Sequence, residues 1–199
     1  FSKKIKILAL GTIVSRPYVD LTMHVLSRFG CSVTETTPGQ FSTSARCMRS
    51  PKNFTVEGDA SSASYFLASA CIGGGPIRVH GISKESKQGD IKLLEVLKRI
   101  GATVRWGNSY VEIFRKGKLR GIEVDCRDIP DAAMVLSTLA LFCDKPTKLI
   151  NIASWKEKET DRIAAVVQGL EGLGVLVYRE GDNAITINPV SCLKSAKIQ

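Results

Sequence analysis

Apolar positions along this chain follow a helical period and an extended period in turn, and the whole pattern comes round twice. In LLEVLKRIGA the residues Leu94, Leu97 and Ile100 form one helical stripe. At a constant shift of 73 residues (Leu94 to Val167, Leu97 to Leu170, Ile100 to Leu173), VVQGLEGLGV carries the same stripe, and Gly101 and Gly174 follow as helix stops. Upstream, GDASSAS and IPDAAM match at a shift of 72 (Asp59 to Asp131), each an Asp before small residues that open a helix. Runs of β-branched residues fill the spaces between, so each copy reads β-α-β-α-β-β. The first copy predicts strand 53–57, helix 60–72, strand 76–81, helix 89–100 and a hairpin over 102–114. The second predicts strand 121–126, helix 130–143, strand 147–152, helix 158–172 and a hairpin over 175–188. The hairpins turn on Gly107-Asn108 and on Glu180-Gly181-Asp182. A partial third copy precedes them, with helix 17–29, Gly30, and strands 31–36 and 40–47, while residues 190–199 show no pattern and read as a tail. Helices in repeats of this size bury themselves against shared sheets, which predicts an α/β fold of the α+β type.

Charge narrows the class of partner. The 199 residues carry a net charge of +9, spread along the chain rather than gathered in a block. Aromatics are few and not interleaved with the basic residues, and no nucleic-acid motif is present, so small anionic ligands fit better than nucleic acid. The six cysteines (Cys31, Cys47, Cys71, Cys126, Cys143, Cys192) have no CxxC spacing and almost no His to complete a metal set. They read as buried, reduced thiols of a cytoplasmic protein, with no metal expected. No apolar run approaches the ~20 residues of a membrane span. The chain opens on Phe1 rather than Met and is read as a piece of a longer protein.

One segment is charged against the grain. In WKEKETDRIAAVVQGLEGLG, Lys158 and Arg162 lie i,i+4 in the first turns of the predicted helix, where like charges oppose each other and the macrodipole disfavours cations. Free backbone N–H groups and cations together make an anion site. The plainer alternative is a solvated charged face. Asp131 follows Pro130 at a helix start, where a structural first-turn Asp is the plain reading. Ser15, just before Pro17, reads as an N-cap. Glu159 reads as a surface Glu of the first turn, and Asp59, Ser61 and Ser62 as helix capping.

VEGDASSASYFLA, QGDIKLLEVLKRIGA, IPDAAM and KETDR together resemble the EPSP synthase (3-phosphoshikimate 1-carboxyvinyltransferase) family, from about Gly11 to Pro189. The resemblance implies the enolpyruvyl transferase fold of repeated βαβαββ units in two domains. Residues 1–55 would be the last part of the first domain, 56–189 two units of the second, and 190–199 a tail. It implies transfer of the enolpyruvyl group of phosphoenolpyruvate to the 5-hydroxyl of shikimate 3-phosphate, with release of phosphate. No cofactor or metal, no nucleic acid and no membrane partner is implied, and the parent would be a monomer in the cytoplasm or a plastid. By the same resemblance Asp131 bonds the 5-hydroxyl and is the candidate base. Glu159 exchanges a proton with the phosphoenolpyruvate methylene, Lys158 lies near the transferring group, and Arg162 grips the phosphoenolpyruvate carboxylate. Ser15 contacts the phosphoshikimate phosphate and Tyr18 lines its ring pocket. Ser154 stands where an asparagine is usual and would reach phosphoshikimate less directly. The family's catalytic lysine, phosphoenolpyruvate loop and C-terminal basic residues have no counterpart here, so the chain alone is expected to be inactive. Two other readings stay open: a UDP-N-acetylglucosamine enolpyruvyl transferase, and a non-catalytic basic fragment that only binds anions.

Overall fold

The computed structural model describes residues 4–44 and 48–197, so Cys47 and the last residues of the expected strand 40–47 lie outside it. The chain forms two units, Phe1–Glu57 with Lys87–Gly89, and Gly58–Ser86 with Asp90–Gln199. In the first unit, β1 (Lys4–Leu8), α1 (Arg16–Arg28), β2 (Val33–Thr37) and β3 (Gln40–Ser44) follow in order. The sheet runs β1-β3-β2, with both pairings antiparallel. The hydrophobic pattern does not anticipate β1. Its side chains are all exposed, Ile5, Ile7 and Leu8 among them, so pairing with β3 rather than burial defines it.

The second unit holds both full copies of the repeat. The first copy contains α2 (Ala60–Gly73), β4 (Ile77–His80), a 3-10 turn over Gly89–Lys92, α3 (Leu93–Ile100), β5 (Ala102–Trp106) and β6 (Tyr110–Arg115). The second contains β7 (Glu123–Asp125), α4 (Met134–Leu139), β8 (Thr147–Ile150), α5 (Arg162–Gly172), β9 (Val177–Glu180) and β10 (Ala184–Ile187), with 3-10 turns at Ala140–Phe142 and Ala153–Glu157. The sheets run β4-β6-β5 and β7-β8-β10-β9, so the antiparallel core of the repeat has one strand order in both copies. Gly101 and Gly174 stop their helices at φ 122° and 81°, a region that L side chains avoid.

Four expected elements differ, the helix over 89–100 among them, since Gly89–Lys92 is a 3-10 turn and the α-helix starts at Leu93. The strand over 53–57 does not form. Its counterpart β7 pairs in parallel with β8, but in the first copy Phe54 and Val56 stay exposed, and beyond them Gly58 N–H donates to the Gly81 carbonyl at 2.6 Å. The two backbones approach so closely that a Cβ at Gly58 would sit 3.1 Å from that carbonyl oxygen. The helix expected over 130–143 is an α-helix only from Met134 to Leu139, because residues 130–133 form a turn. The helix expected from 158 starts at Arg162, because the Asp161 carboxylate caps it by accepting from Ala164 N–H at 3.0 Å. Lys158 is therefore in extended backbone, and the i,i+4 pair on a helical face does not exist.

Both copies share one core, in which Leu94, Leu97 and Ile100 of α3 are buried with Ile113, Leu149 and Ile185 of the sheets. The α5 stripe is less covered: Leu170 is buried, whereas Val167 and Leu173 are half-buried, Leu173 beside an apolar groove between α2, α4 and α5. Leu97→Ala should cost about 2–5 kcal/mol in urea unfolding, the range for a buried Leu whose site cannot collapse. Of the expected buried thiols, Cys31, Cys71, Cys126 and Cys143 are buried, but Cys192 is exposed because it follows the last strand. Burial pushes Cys71 and Cys126 up to about 11 and about 12, so neither is a ready nucleophile. Among the described residues no helix is long and apolar enough to cross a membrane.

Candidate active site

Two connections that leave neighbouring strands meet at one end of the β7-β8-β10-β9 sheet. The first runs from β7 through Ile129 and Pro130 to Asp131, and the second runs from β8 through the Ala153–Glu157 turn to Lys158, Glu159 and Arg162. The second connection is fixed by specific contacts. Asn151 takes a left-handed φ of 60°, which Asn tolerates better than most residues, and turns the chain off β8. Ile152 N–H then donates to the Asn183 carbonyl, Trp155 N–H to the Ile152 carbonyl, and Lys156 Nζ pairs with Asp182 at 2.7 Å. The buried Trp155 indole Nε1–H reaches across to the Pro130 carbonyl at 2.7 Å, which ties one connection to the other.

Arg162 is the hub of the cluster. Its Nη1 donates to Asp131 Oδ1 at 2.6 Å, and its Nε and Nη2 grip the Glu159 carboxylate at 3.1, 2.7 and 2.8 Å. Lys158 Nζ lies 3.4 Å from the same Asp131 oxygen. The Arg162 side chain is only 14% exposed and Glu159 is 67% exposed, so the fork reaches from a buried stem towards solvent. Burial alone would lower the Arg162 pKa, but Glu159 and Asp131 together hold it above its ordinary value. Glu159 is held below the usual carboxylate range, first by its own backbone N–H and then by Arg162. Stability from this ionised Glu159 is therefore present above about pH 4.5 and is lost as pH falls through its lowered value. Two cations and two carboxylates share the cluster, so an incoming anion must displace an internal partner.

The other expected residues are placed as follows. Ser154 is half-buried in the 3-10 turn, next to Trp155. In the first unit Ser15 precedes α1 at a left-handed φ of 56° and its side chain makes no capping bond, so the plain N-cap reading fails. Tyr18 is exposed on the first turn of α1. Arg16 between them is taken up by Glu35 and Asp20. Asp59 caps α2 by accepting from Ser61 and Ser62 N–H at 3.0 and 3.2 Å. Its repeat partner Asp131 instead faces Arg162 and Lys158, so equivalent positions have diverged in use. Two residues that the pattern did not single out hold the cluster: Trp155, and the buried Asp90. No sequence signal marks Asp90, whose carboxyl oxygen accepts from Ala132 N–H at 3.3 Å. Among the described residues no group of His, Cys, Asp or Glu could hold a metal.

The family model and the related sequences agree on one family. The family model for EPSP synthase (3-phosphoshikimate 1-carboxyvinyltransferase) matches residues 3–199. The chain is 48% identical over 189 residues to 3-phosphoshikimate 1-carboxyvinyltransferase of Serratia proteamaculans, covering 94% of this chain and 44% of that protein. It is 45% identical over 192 residues to the Thiobacillus denitrificans protein of the same name, covering 95% and 45%. Among solved structures, EPSP synthase from Acinetobacter baumannii superposes with a TM-score of 0.69 at 22% identity, over 98% of this chain and 44% of that one. The enolpyruvyl transferase NikO from Streptomyces tendae gives 0.68 at 17% identity, over 96% and 43%. At these identities the structures speak for the fold alone, and the chain spans less than half the length of the relatives it matches.

Proposed function

The chain belongs to the EPSP synthase (3-phosphoshikimate 1-carboxyvinyltransferase) family, and from that premise we propose that the complete enzyme transfers the enolpyruvyl group of phosphoenolpyruvate to the 5-hydroxyl of shikimate 3-phosphate and releases phosphate. The observation that supports this most is the Asp131–Lys158–Glu159–Arg162 cluster, a set of anion-binding and proton-carrying groups at one end of a sheet. Joining the sugar oxygen to the carbon that bears phosphate requires three things. The hydroxyl loses its proton, the adjacent methylene gains one while the new C–O bond forms, and that proton leaves again as phosphate departs.

The residues divide these tasks by position. Asp131 accepts the hydroxyl proton, a role that a carboxylate fills when it lies within hydrogen-bond reach. Lys158, beside the same Asp131 oxygen, offsets negative charge at the attacking oxygen. Arg162 holds the phosphoenolpyruvate carboxylate with its planar fork, which suits bidentate binding. That carboxylate takes the place of Glu159 on the fork. Glu159 released from Arg162 binds a proton more readily and exchanges it with the methylene. Ser15 binds the phosphate of shikimate 3-phosphate, Tyr18 lines its ring pocket and Ser154 gives a further contact. Residues 1–55 would belong to one domain and 56–189 to two repeats of the other. The enzyme would act in the cytoplasm, as a monomer and without a metal.

Phosphate release from the complete protein, measured with each substrate alone and with both, tests the reading: release is expected only with both. In that assay Arg162→Ala should raise KM for phosphoenolpyruvate about 10–100-fold, the scale of a lost charge-assisted hydrogen bond, with a smaller change in KM for shikimate 3-phosphate. Equal changes for both substrates would remove Arg162 from the carboxylate site.

A further inference from the structure

Asp131 sits on a turn closed by backbone bonds from Ala133 N–H to the Ile129 carbonyl at 2.8 Å and from Met134 N–H to the Asp131 carbonyl at 3.4 Å. The residue that precedes α4, Ala133, has no side chain able to cap, and Asp131 is turned towards Arg162 and Lys158. Yet the peptide groups on either side of Asp131 are both held by buried side chains from outside the turn. On one side, Pro130 presents its carbonyl to the Trp155 indole at 2.7 Å, and Trp155 is fully buried. On the other, Ala132 N–H donates to Asp90 Oδ1 at 3.3 Å, and Asp90 is 5% exposed. Asp90 comes from the first copy of the repeat, in the 3-10 turn that leads into α3, and its second oxygen accepts from Ser61 Oγ of α2.

We propose that Asp90 and Trp155 are positioning residues for Asp131, a clamp on its two flanking peptides that fixes where its carboxylate points. The clamp rests on Asp131 acting as proposed above. It explains why a carboxyl side chain is kept in the core of the repeat. Ionisable groups are rarely buried without hydrogen-bonded partners, and the partners found here are an N–H beside the candidate base and a helix-start hydroxyl. It also gives the two copies different work. The first copy supplies Asp90 as a brace, the second supplies Asp131 as the reacting group, and Trp155 ties the Lys158–Arg162 connection to the same turn. A displacement of about 1 Å at a reacting group can cost about 100-fold in rate, so losing one jaw should act on turnover before it acts on binding.

The test uses the complete enzyme with Asp90→Asn, Asp90→Ala and Trp155→Phe. Asparagine keeps an acceptor for Ala132 N–H, and Ser61 Oγ can rotate to accept from the new amide. Asp90→Asn should therefore keep kcat within about 3-fold of the parent. Asp90→Ala should lose kcat about 10–100-fold, with KM for both substrates within about 3-fold. Trp155→Phe keeps the buried ring and removes only the indole N–H, so it should lower kcat in the same sense by about 10-fold even if Asp90→Ala does not fold. Two results overturn the clamp: Asp90→Asn as impaired as Asp90→Ala, or Trp155→Phe with parental kcat and an unchanged melting curve. Failure of the underlying reading would show differently, as no substrate-dependent phosphate release by the parent or normal turnover by Asp131→Asn.

Discussion

Asp131→Asn in the complete enzyme should lower kcat by at least about 100-fold while leaving the fold intact. General acid–base catalysis contributes about 100–10,000-fold, and an amide cannot accept the hydroxyl proton. Asp131 is only partly exposed, and Arg162 holds it at 2.6 Å and Lys158 at 3.4 Å. The asparagine carbonyl can still take the Arg162 hydrogen bond, so the architecture of the cluster survives and the loss falls on kcat. Steady-state kinetics with both substrates, beside a thermal melt, check this. Turnover near the parental value would take Asp131 out of the mechanism.

The second large effect concerns the chain by itself. These 199 residues, assayed alone with both substrates, should release phosphate at a negligible rate compared with the complete enzyme. The curated relatives are more than twice as long, since the chain covers 44% of the Serratia proteamaculans protein. The charges of the cluster also satisfy one another, so they provide little uncompensated field for two anionic substrates. Stabilising charge that develops during transfer requires donors preorganised around both partners. Holding two reactants in register is worth about 7–11 kcal/mol when done well. A chain that carries only part of the contacts forfeits most of both. Robust phosphate release by the chain alone would overturn this argument.

How much could be read beforehand divides along physical lines. The repeat and its two helix stops are legible because burial enforces them: Leu94, Leu97 and Ile100 cannot face water together. Elements fixed by pairing rather than burial were not legible. The strand β1 exposes its whole length and gives no contrast between faces, and segment 53–57 has the right alternation but forms no strand. Charge spacing points to a helix from 158, but the Asp161 cap is the stronger local signal and sets the start of α5 at Arg162. That shift changes the chemistry, since Lys158 and Arg162 meet at Asp131 by way of a loop rather than a helical face. Roles for Asp131, Lys158, Glu159 and Arg162 came from family motifs, and their spacing along the chain says nothing of Arg162 bridging the two carboxylates. Asp90 and Trp155 were invisible because each acts on another residue's backbone, a relation that no local pattern encodes.

If this cluster forms the phosphoenolpyruvate-facing wall of the site, a crystal structure of the complete enzyme with shikimate 3-phosphate and a non-reacting phosphoenolpyruvate analogue should show the analogue carboxylate on the Arg162 fork, Glu159 displaced from it, and the 5-hydroxyl within hydrogen-bond reach of Asp131. An analogue bound elsewhere, with Arg162 still closed on Glu159 and Asp131, would contradict it.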